Sequence, residues 1–262
     1  MIDTHVHVLA GVDDGARDLR ETLALARVAS EAGVRTLVAT PHVREAEQLA
    51  VERIGGLVAE TNRALAEARL PVDVLPGGEL ACPRLGTLSD DQLRAISLGG
   101  KSRYILLESP YRAIPGGFEP YIRVLCARGF RPLIAHPERS RAFSTPEKLL
   151  PLVRLGSLVQ VTAASLVGDF GPKVERSALR LLLTGFVHVV ASDAHRADHR
   201  LSAFVNVLDR LHKRDPALST AVEPMVFDTP RRLLDDEDVQ PDILAISDGL
   251  RRRRLPRALR RR

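Results

Sequence analysis

At 262 residues and 45% hydrophobic content, the chain suits one α/β barrel of about 250 residues, and no apolar run approaches the roughly 20 residues of a membrane span. Its formal net charge of +5 is local: eight arginines lie within residues 251–262, and without them the remainder stands at −3. That balance argues against a nucleic-acid-binding body, and two cysteines are too few for a disulfide framework. We therefore read residues 1–250 as a single domain and 251–262 as an arginine-rich, disordered tail. The first residues look like a strand rather than an export signal, so a cytoplasmic protein is expected.

The first strand runs from Met1 into His5-Val6-His7, followed by the acidic loop Asp13-Asp14-Gly15. Leu19, Leu23, Ala26 and Ala29 have helical spacing, and Gly33 closes that helix as a C-cap. Residues 34–40 form the second strand, which delivers His42. A long amphipathic helix is expected over 46–69, weakened in its middle by Gly55-Gly56. Residues 72–78 give the third strand, ending at Glu79, with a short helix near 90–96. The fourth strand, 103–107, ends at Glu108, and a Pro/Gly-rich loop at 110–117 leads to a helix ending at Gly129. Strand five, 131–135, ends at His136, and a helix follows over 146–155. Strand six is 158–162, its helix 174–183, and strand seven 187–191. Residues 199–214 and a short segment after Pro230 read as helical. Apolar runs alternating with helical patterns imply right-handed βαβ units and a parallel sheet. Seven such repeats without a Gly-rich dinucleotide fingerprint favour a closed barrel.

In such barrels the working face is the carboxyl end of the strands. Nine imidazoles and carboxylates fall there: His5, His7, Asp14, His42, Glu79, Glu108, His136, Asp193 and His195. The strand pleat aims His5 and His7 to one side, and Asp193 and His195 repeat that spacing. So many acids and imidazoles converging without compensation would be costly, which points to metal ions. The mixed donor set suits manganese, iron or zinc, and nine ligands exceed one ion, so two or three are expected. Paired ions would generate hydroxide and neutralise phosphoryl oxygens. His188, His199 and His212 read as structural or exposed. Neither Cys82 nor Cys126 has an arginine six positions on, because Leu88 and Pro132 stand there; this excludes the cysteine-phosphatase loop and leaves both as buried thiols.

These residues resemble the polymerase-and-histidinol-phosphatase (PHP) superfamily, and within it the bacterial manganese-dependent protein-tyrosine phosphatases of capsular and exopolysaccharide operons. The matching stretches are Met1 to His7, Val12-Asp13-Asp14-Gly15, Ala39-Thr40-Pro41-His42 and Gly77-Gly78-Glu79. They continue through Glu108, Ala135-His136-Pro137-Glu138-Arg139 and Ala191-Ser192-Asp193-Ala194-His195. The resemblance implies a distorted seven-stranded, TIM-like (β/α) barrel with three metals held by the nine residues. It implies hydrolysis of phosphotyrosine on a bacterial tyrosine autokinase that controls polysaccharide export. It also assigns Arg139 and Arg200 to phosphate binding, a role that suits the planar guanidinium fork; Arg196 and Arg112 are substitutes for Arg200. Ser140 stands where the family has tyrosine, and Asp228-Thr229-Pro230-Arg231 replaces its Asn-Pro-Arg close.

Three other readings stay open at this stage, as does a homo-oligomer. One is a phosphoesterase of the same superfamily acting on a small molecule such as histidinol phosphate or a nucleotide. The second is an amidohydrolase-type barrel, whose bridging lysine has no counterpart because Glu108 takes that place. The third is a binding protein working through the arginine tail.

Overall fold

The computed structural model describes residues 1–44, 50–110 and 116–251. Strand β1 (Ile2–Val6) leads through the acidic loop to helix α1 (Leu19–Glu31), which begins where Asp18 accepts a hydrogen bond from the Glu21 amide. Such caps satisfy one of the four unpaired amides of a helix start. Strands β2 (Thr36–Ala39) and β3 (His42–Val43) follow in one direction, interrupted at Thr40-Pro41. Helix α2 (Ile54–Glu67) begins after a short 3-10 turn at Val51–Arg53, so Gly55 and Gly56 lie in its first turn and not in its middle. Most of its predicted first turn, 46–49, lies outside the described residues.

Strands β4 (Asp73–Leu75) and β5 (Glu79–Leu80) are split by Pro76-Gly77-Gly78. A Cβ at Gly77 would sit 2.8 Å from Val38 Cγ1, so only glycine lets this segment pass so close to β2. After α3 (Asp90–Ala95) come β6 (Tyr104–Glu108), α4 (Glu119–Ala127), β7 (Arg131–Ala135), α5 (Leu150–Arg154) and β8 (Leu158–Thr162). Then follow α6 (Ala163–Leu166), α7 (Pro172–Leu183), β9 (Val189–Ala191), α8 (His199–Val205) and α9 (Val207–Arg214). The C-terminal helices are α10 (Pro216–Val226), α11 (Asp228–Leu234) and α12 (Ile243–Arg251). The single helix expected over 199–214 is two helices, parted at Asn206.

Every strand pairing is parallel, which agrees with the α/β expectation. The strands form two sheets, ordered β1-β2-β4 and β3-β5-β6-β7-β8-β9, and among the described residues no closed barrel is present. The expected seven strands appear as nine because Pro41, which has no amide proton, and Pro76-Gly77-Gly78 each cut one strand in two. The first and last strands nevertheless meet. Val6 bridges Ala194, the His7 amide donates to Ala194 O at 2.8 Å, and the Asp193 amide donates to His5 O at 2.9 Å.

Alternation along the strands sorts side chains into two layers. Ile105 and Leu107 of β6, Ile134 of β7 and Val159 and Val161 of β8 join a large cluster with the surrounding helices. Their neighbours Tyr104, Leu106, Leu133, Leu158 and Val189 form a second, smaller cluster on the other face. Along that second register the next positions are Glu108, Gln160 and, past Ala191, Asp193. The inner face is thus apolar where the strands begin and polar where they end.

The segment after α11 covers the apolar end. Leu233, Leu234 and Val239 are buried in the inner cluster. Tyr104 Oη donates to Glu237 O at 2.6 Å and accepts from the Val239 amide at 2.9 Å, while Arg103 pairs with Asp236 at 3.1 Å. Of the two cysteines, Cys82 is buried as expected but Cys126 is exposed, since α4 turns that position outward. The described residues include no helix long and apolar enough to cross a membrane.

His188, just before β9, accepts from the Val159 amide at 3.1 Å, and burial holds its imidazole neutral, with a pKa lowered from 6.5 to about 4. The stability that depends on the neutral ring is complete above pH 6.5 and is lost as pH falls toward 4, because only the unfolded chain protonates in that window. In urea unfolding of the metal-free protein, we expect the wild type to lose about 2–3 kcal/mol more than His188→Gln between pH 7.5 and 4.5. Equal losses in the two proteins would refute this role.

Candidate metal centre

The nine residues singled out from the sequence converge at the polar end of the strands. They fall into four overlapping groups whose donor atoms lie within 4.8 Å of one another: His7, Asp14, His42 and His195; His5, His7 and Asp193; His5, Glu79 and His136; and His42, Glu79 and Glu108. Above them opens a cavity of about 190 Å³, bordered by arginines 44, 139 and 200 as well as the acids and imidazoles. His5 and His7 are fully buried and do not border it, and Asp14 is its most exposed donor, with 63% of its side chain accessible.

Local structure explains the convergence. Asp3, His5 and His7 share one face of β1 and its extension, and Asp3 Oδ1 accepts from the Ser192 amide at 3.0 Å. Ser192 Oγ in turn donates to His5 O at 3.2 Å and accepts from the Ala194 amide at 2.9 Å. This stitching sets the first strand's imidazoles against Asp193 and His195, and the His7 and His195 rings stack at 4.0 Å. Two donors leave their strands through left-handed backbone, His136 at φ 36° and Asp193 at φ 52°. That region costs a non-glycine residue about 1–3 kcal/mol, although Asp and His tolerate it better than most.

Glu79 occupies the centre. Its Oε1 accepts from His136 Nε2 at 2.8 Å, and its Oε2 lies 2.8 Å from His42 Nδ1, 3.5 Å from His5 Nε2 and 3.6 Å from His7 Nε2. Glu79 belongs to two of the four groups and Glu108 to one. Both Glu108 oxygens accept from Arg44, at 3.1 and 2.6 Å. Asp193 divides its carboxylate: Oδ1 lies 3.4 Å from His5 Nε2 and 3.6 Å from His7 Nε2, whereas Oδ2 accepts from Arg139 Nη1 and, at 3.1 Å, from Arg200 Nη1.

Two residues outside the predicted set fix the imidazoles. Asp13 Oδ2 lies 2.7 Å from His7 Nδ1 and also accepts from the His42 amide, while its Oδ1 accepts from the Gly15 amide. An ionised carboxylate only accepts, so His7 Nδ1 carries the proton and Nε2 faces the cluster. Gln160 Oε1 does the same for His5 Nδ1 at 2.9 Å.

The electrostatics favour cations. Burial lowers the pKa of His7, but Asp13, Asp193 and Glu79 outweigh it and raise the value to about 10. Burial likewise opposes protonation of His5, and Glu79 and Asp193 reverse the effect. Against the cost of burial, His5 and its neighbours hold Glu79 and Asp193 well below the usual carboxylate range. His195 goes the other way, to about 4, through burial and the nearby His7 and Arg200. Burial and then Glu108 push the Cys82 thiol up to about 12, which keeps it protonated at neutral pH.

This donor set fits divalent ions. Glu79 Oε2 and His42 Nδ1 are both buried and 2.8 Å apart, yet neither has a partner in hydrogen-bond geometry. The Nε2 atoms of His5 and His7 face each other at 3.4 Å with the same two carboxylates around them. Lone pairs gathered in this way are compensated by protons or by metal ions, and mixed nitrogen and oxygen donors suit manganese, iron and zinc.

The remaining predicted residues divide clearly. Arg139 and Arg200 reach the cavity and touch Asp193, and Arg200 Nη1 also lies 3.0 Å from His195 Nδ1. Arg196 is half-exposed and pairs with Glu21 at 3.5 Å, away from the cluster. Arg112 and the arginine tail beyond Arg251 lie outside the described residues. His199 and His212 are exposed, and no lysine is among the described residues that border the cavity. Arg44 and Phe170 were not anticipated; Phe170 lies beneath both Arg139 and Arg200.

Comparison with known proteins places this arrangement. The family model for capsular polysaccharide synthesis, CpsB/CapC, matches residues 1–235. Tyrosine-protein phosphatase YwqE of Bacillus subtilis is 37% identical over 206 residues, covering 76% of this chain and 79% of its own. A solved structure from work on YwqE of Bacillus subtilis and CpsB of Streptococcus pneumoniae, described as unique metal-dependent tyrosine phosphatases, superposes with a TM-score of 0.80. It shares 32% identity, with 92% of this chain and 99% of that one covered. The organophosphorus hydrolase from Deinococcus radiodurans superposes at a TM-score of 0.53 over 89% of this chain and 92% of its own. At 14% identity that likeness concerns the fold alone.

If Asp13 fixes His7 for metal binding, Asp13→Asn should weaken manganese binding about 10- to 100-fold in calorimetric titration, the usual effect of losing such an outer partner. Because His7 titrates near 10 in the metal-free cluster, binding at pH 7.5 should also release protons. Titrations in buffers of different ionisation enthalpy read that release directly; identical heats in all buffers would contradict it.

Proposed function

The chain belongs to the capsular polysaccharide synthesis CpsB/CapC family, and from that premise we propose that it is a metal-dependent phosphatase hydrolysing phosphotyrosine. The observation that carries this reading is the division of Asp193, one oxygen toward the imidazole cluster and the other toward two arginines. Cation-binding and phosphate-binding groups thereby share one wall of a single cavity.

His5, His7, Asp14, His42, Glu79, Glu108, His136, Asp193 and His195 would hold two or three ions, with manganese the best match to the family and iron or zinc compatible with the donors. When bound, such ions would activate water at neutral pH and offset the negative charge of the phosphoryl group. Arg139 and Arg200 would grip its non-bridging oxygens and turn the ester for in-line attack, since guanidinium groups bind phosphate in bidentate fashion. Asp13 and Gln160 keep the His7 and His5 imidazoles in register. Tyrosine leaves as a phenolate with a conjugate-acid pKa of about 10, which lessens the need for a strong general acid.

Further parts of the reading follow the family. The substrate is a phosphotyrosine protein, a bacterial tyrosine autokinase controlling polysaccharide synthesis or export, and the setting is the cytoplasm. We read residues 1–250 as one domain with the arginine tail appended. We read the two sheets as parts of a distorted seven-stranded barrel, counting β2 with β3, and β4 with β5, each as one broken strand. Its support is the parallel order throughout and the bridge between Val6 and Ala194.

Metal analysis coupled to turnover tests the proposal. Removing metal with a chelator should abolish hydrolysis of a phosphotyrosyl peptide, and manganese should restore it. His5→Ala and Asp193→Ala should lose metal and activity together. Arg139→Ala should keep its metal and lose about 10²–10³-fold in kcat/KM, the scale of removing one transition-state contact. Turnover of histidinol phosphate or a nucleotide with none of the phosphopeptide would overturn the substrate assignment while leaving the metal chemistry intact.

A further inference from the structure

Phe170 neither joins the nine-residue cluster nor borders the cavity, yet both arginines assigned to phosphate lie over its ring. The guanidinium carbon of Arg139 is 5.1 Å from the ring centroid, and that of Arg200 is 5.6 Å away. Both side chains also donate to the same oxygen of Asp193. Two cations drawn to one oxygen repel each other, so their orientation depends on what else each one touches. An aromatic face offers negative potential to both guanidinium groups on a rigid surface.

The segment carrying this ring is firmly held. It joins α6 to α7 between Gly168 and Gly171, at φ 88° and 87°, where a side chain would be strained. Asp169 is gripped through both oxygens by Arg210 of α9, at 2.8 and 2.6 Å, and Arg210 also donates to Val167 O at 3.1 Å. The His199 ring meets Phe170 edge-on at 5.9 Å, and the next residue on that helix is Arg200.

The geometry points to Phe170 as a positioning residue, an aromatic platform that orders Arg139 and Arg200 together for the oxygens of a phosphate ester. This inference rests on the phosphatase reading above and names the group that sets its phosphate grip. A purely packing role would need bulk at position 170; a platform needs the face of a ring.

The test uses the full-length, manganese-loaded protein and inorganic phosphate, titrated calorimetrically. Phe170→Leu, which keeps bulk without the ring face, should weaken phosphate binding about tenfold, and Phe170→Tyr should recover most of that loss. KM for a phosphotyrosyl peptide should rise in parallel, while metal content and Tm stay at wild-type values. In the Arg139→Ala, Arg200→Ala background the Leu substitution should have no further effect on phosphate binding. Wild-type phosphate affinity in Phe170→Leu, or equal losses in the Leu and Tyr variants, would overturn the platform. If Phe170→Leu does not fold, Phe170→Met is judged by the same titration. A wild-type protein without phosphotyrosine turnover would contradict the phosphatase reading, and the phosphate titration would still decide the role of Phe170.

Discussion

Glu79 is a fully buried carboxylate surrounded by imidazoles from three other strands, and its burial is tolerable only in the company of positive charge. Around it, His5, His7, His42 and His136 turn nitrogen atoms inward, while Asp193 adds a second carboxylate. Protons meet that demand in part, which is why His5 and His7 hold theirs so tightly. Metal ions meet it more fully, because one divalent ion accepts several lone pairs at once. The site is therefore costly to fold and strongly attractive to cations, and both properties come from the same burial.

The fold supplies that crowding through topology. Parallel strands bring every carboxyl end to one side, and the alternating pleat gives each strand one inner residue near its end. Closure between the first strand and the last, through Asp3 and Ser192, adds the Asp193 segment to the wall formed by His5 and His7. Asp193 then couples two chemistries, since a shift that moves its carboxylate disturbs the ion cluster and the arginine pair together. Phe170 and Arg210 support that pair from the outer side, and Asp13 and Gln160 support the imidazoles from below.

Much of this was legible in the sequence because strand ends are local features. A histidine or acid closing a short apolar run can be placed without knowing what it touches, and all such residues, with Asp14 from the acidic loop, reach the same cluster. Residues that act through distant contacts were harder to read. Asp14 was placed in the cluster, but nothing in the sequence assigned its neighbour Asp13 to brace His7. Gln160 left a usable signal, a polar residue in the inner register of an otherwise apolar strand. Phe170 left none, because a lone phenylalanine between two glycines has no period to place it. The C-terminal cover over Tyr104 was missed for a similar reason: its ties to β6 run across more than 130 positions. Pro41 and Pro76 were visible as strand breakers, yet the paired βαβ rhythm made each broken strand look whole.

The central claim is that this buried cluster exists to hold metal ions. Anomalous diffraction from crystals grown with manganese tests it most directly. The account predicts two or three peaks within coordination distance of Glu79, Asp193 and the inward imidazole nitrogens. Manganese peaks confined to surface carboxylates, with the cluster closed on its own hydrogen bonds, would contradict it.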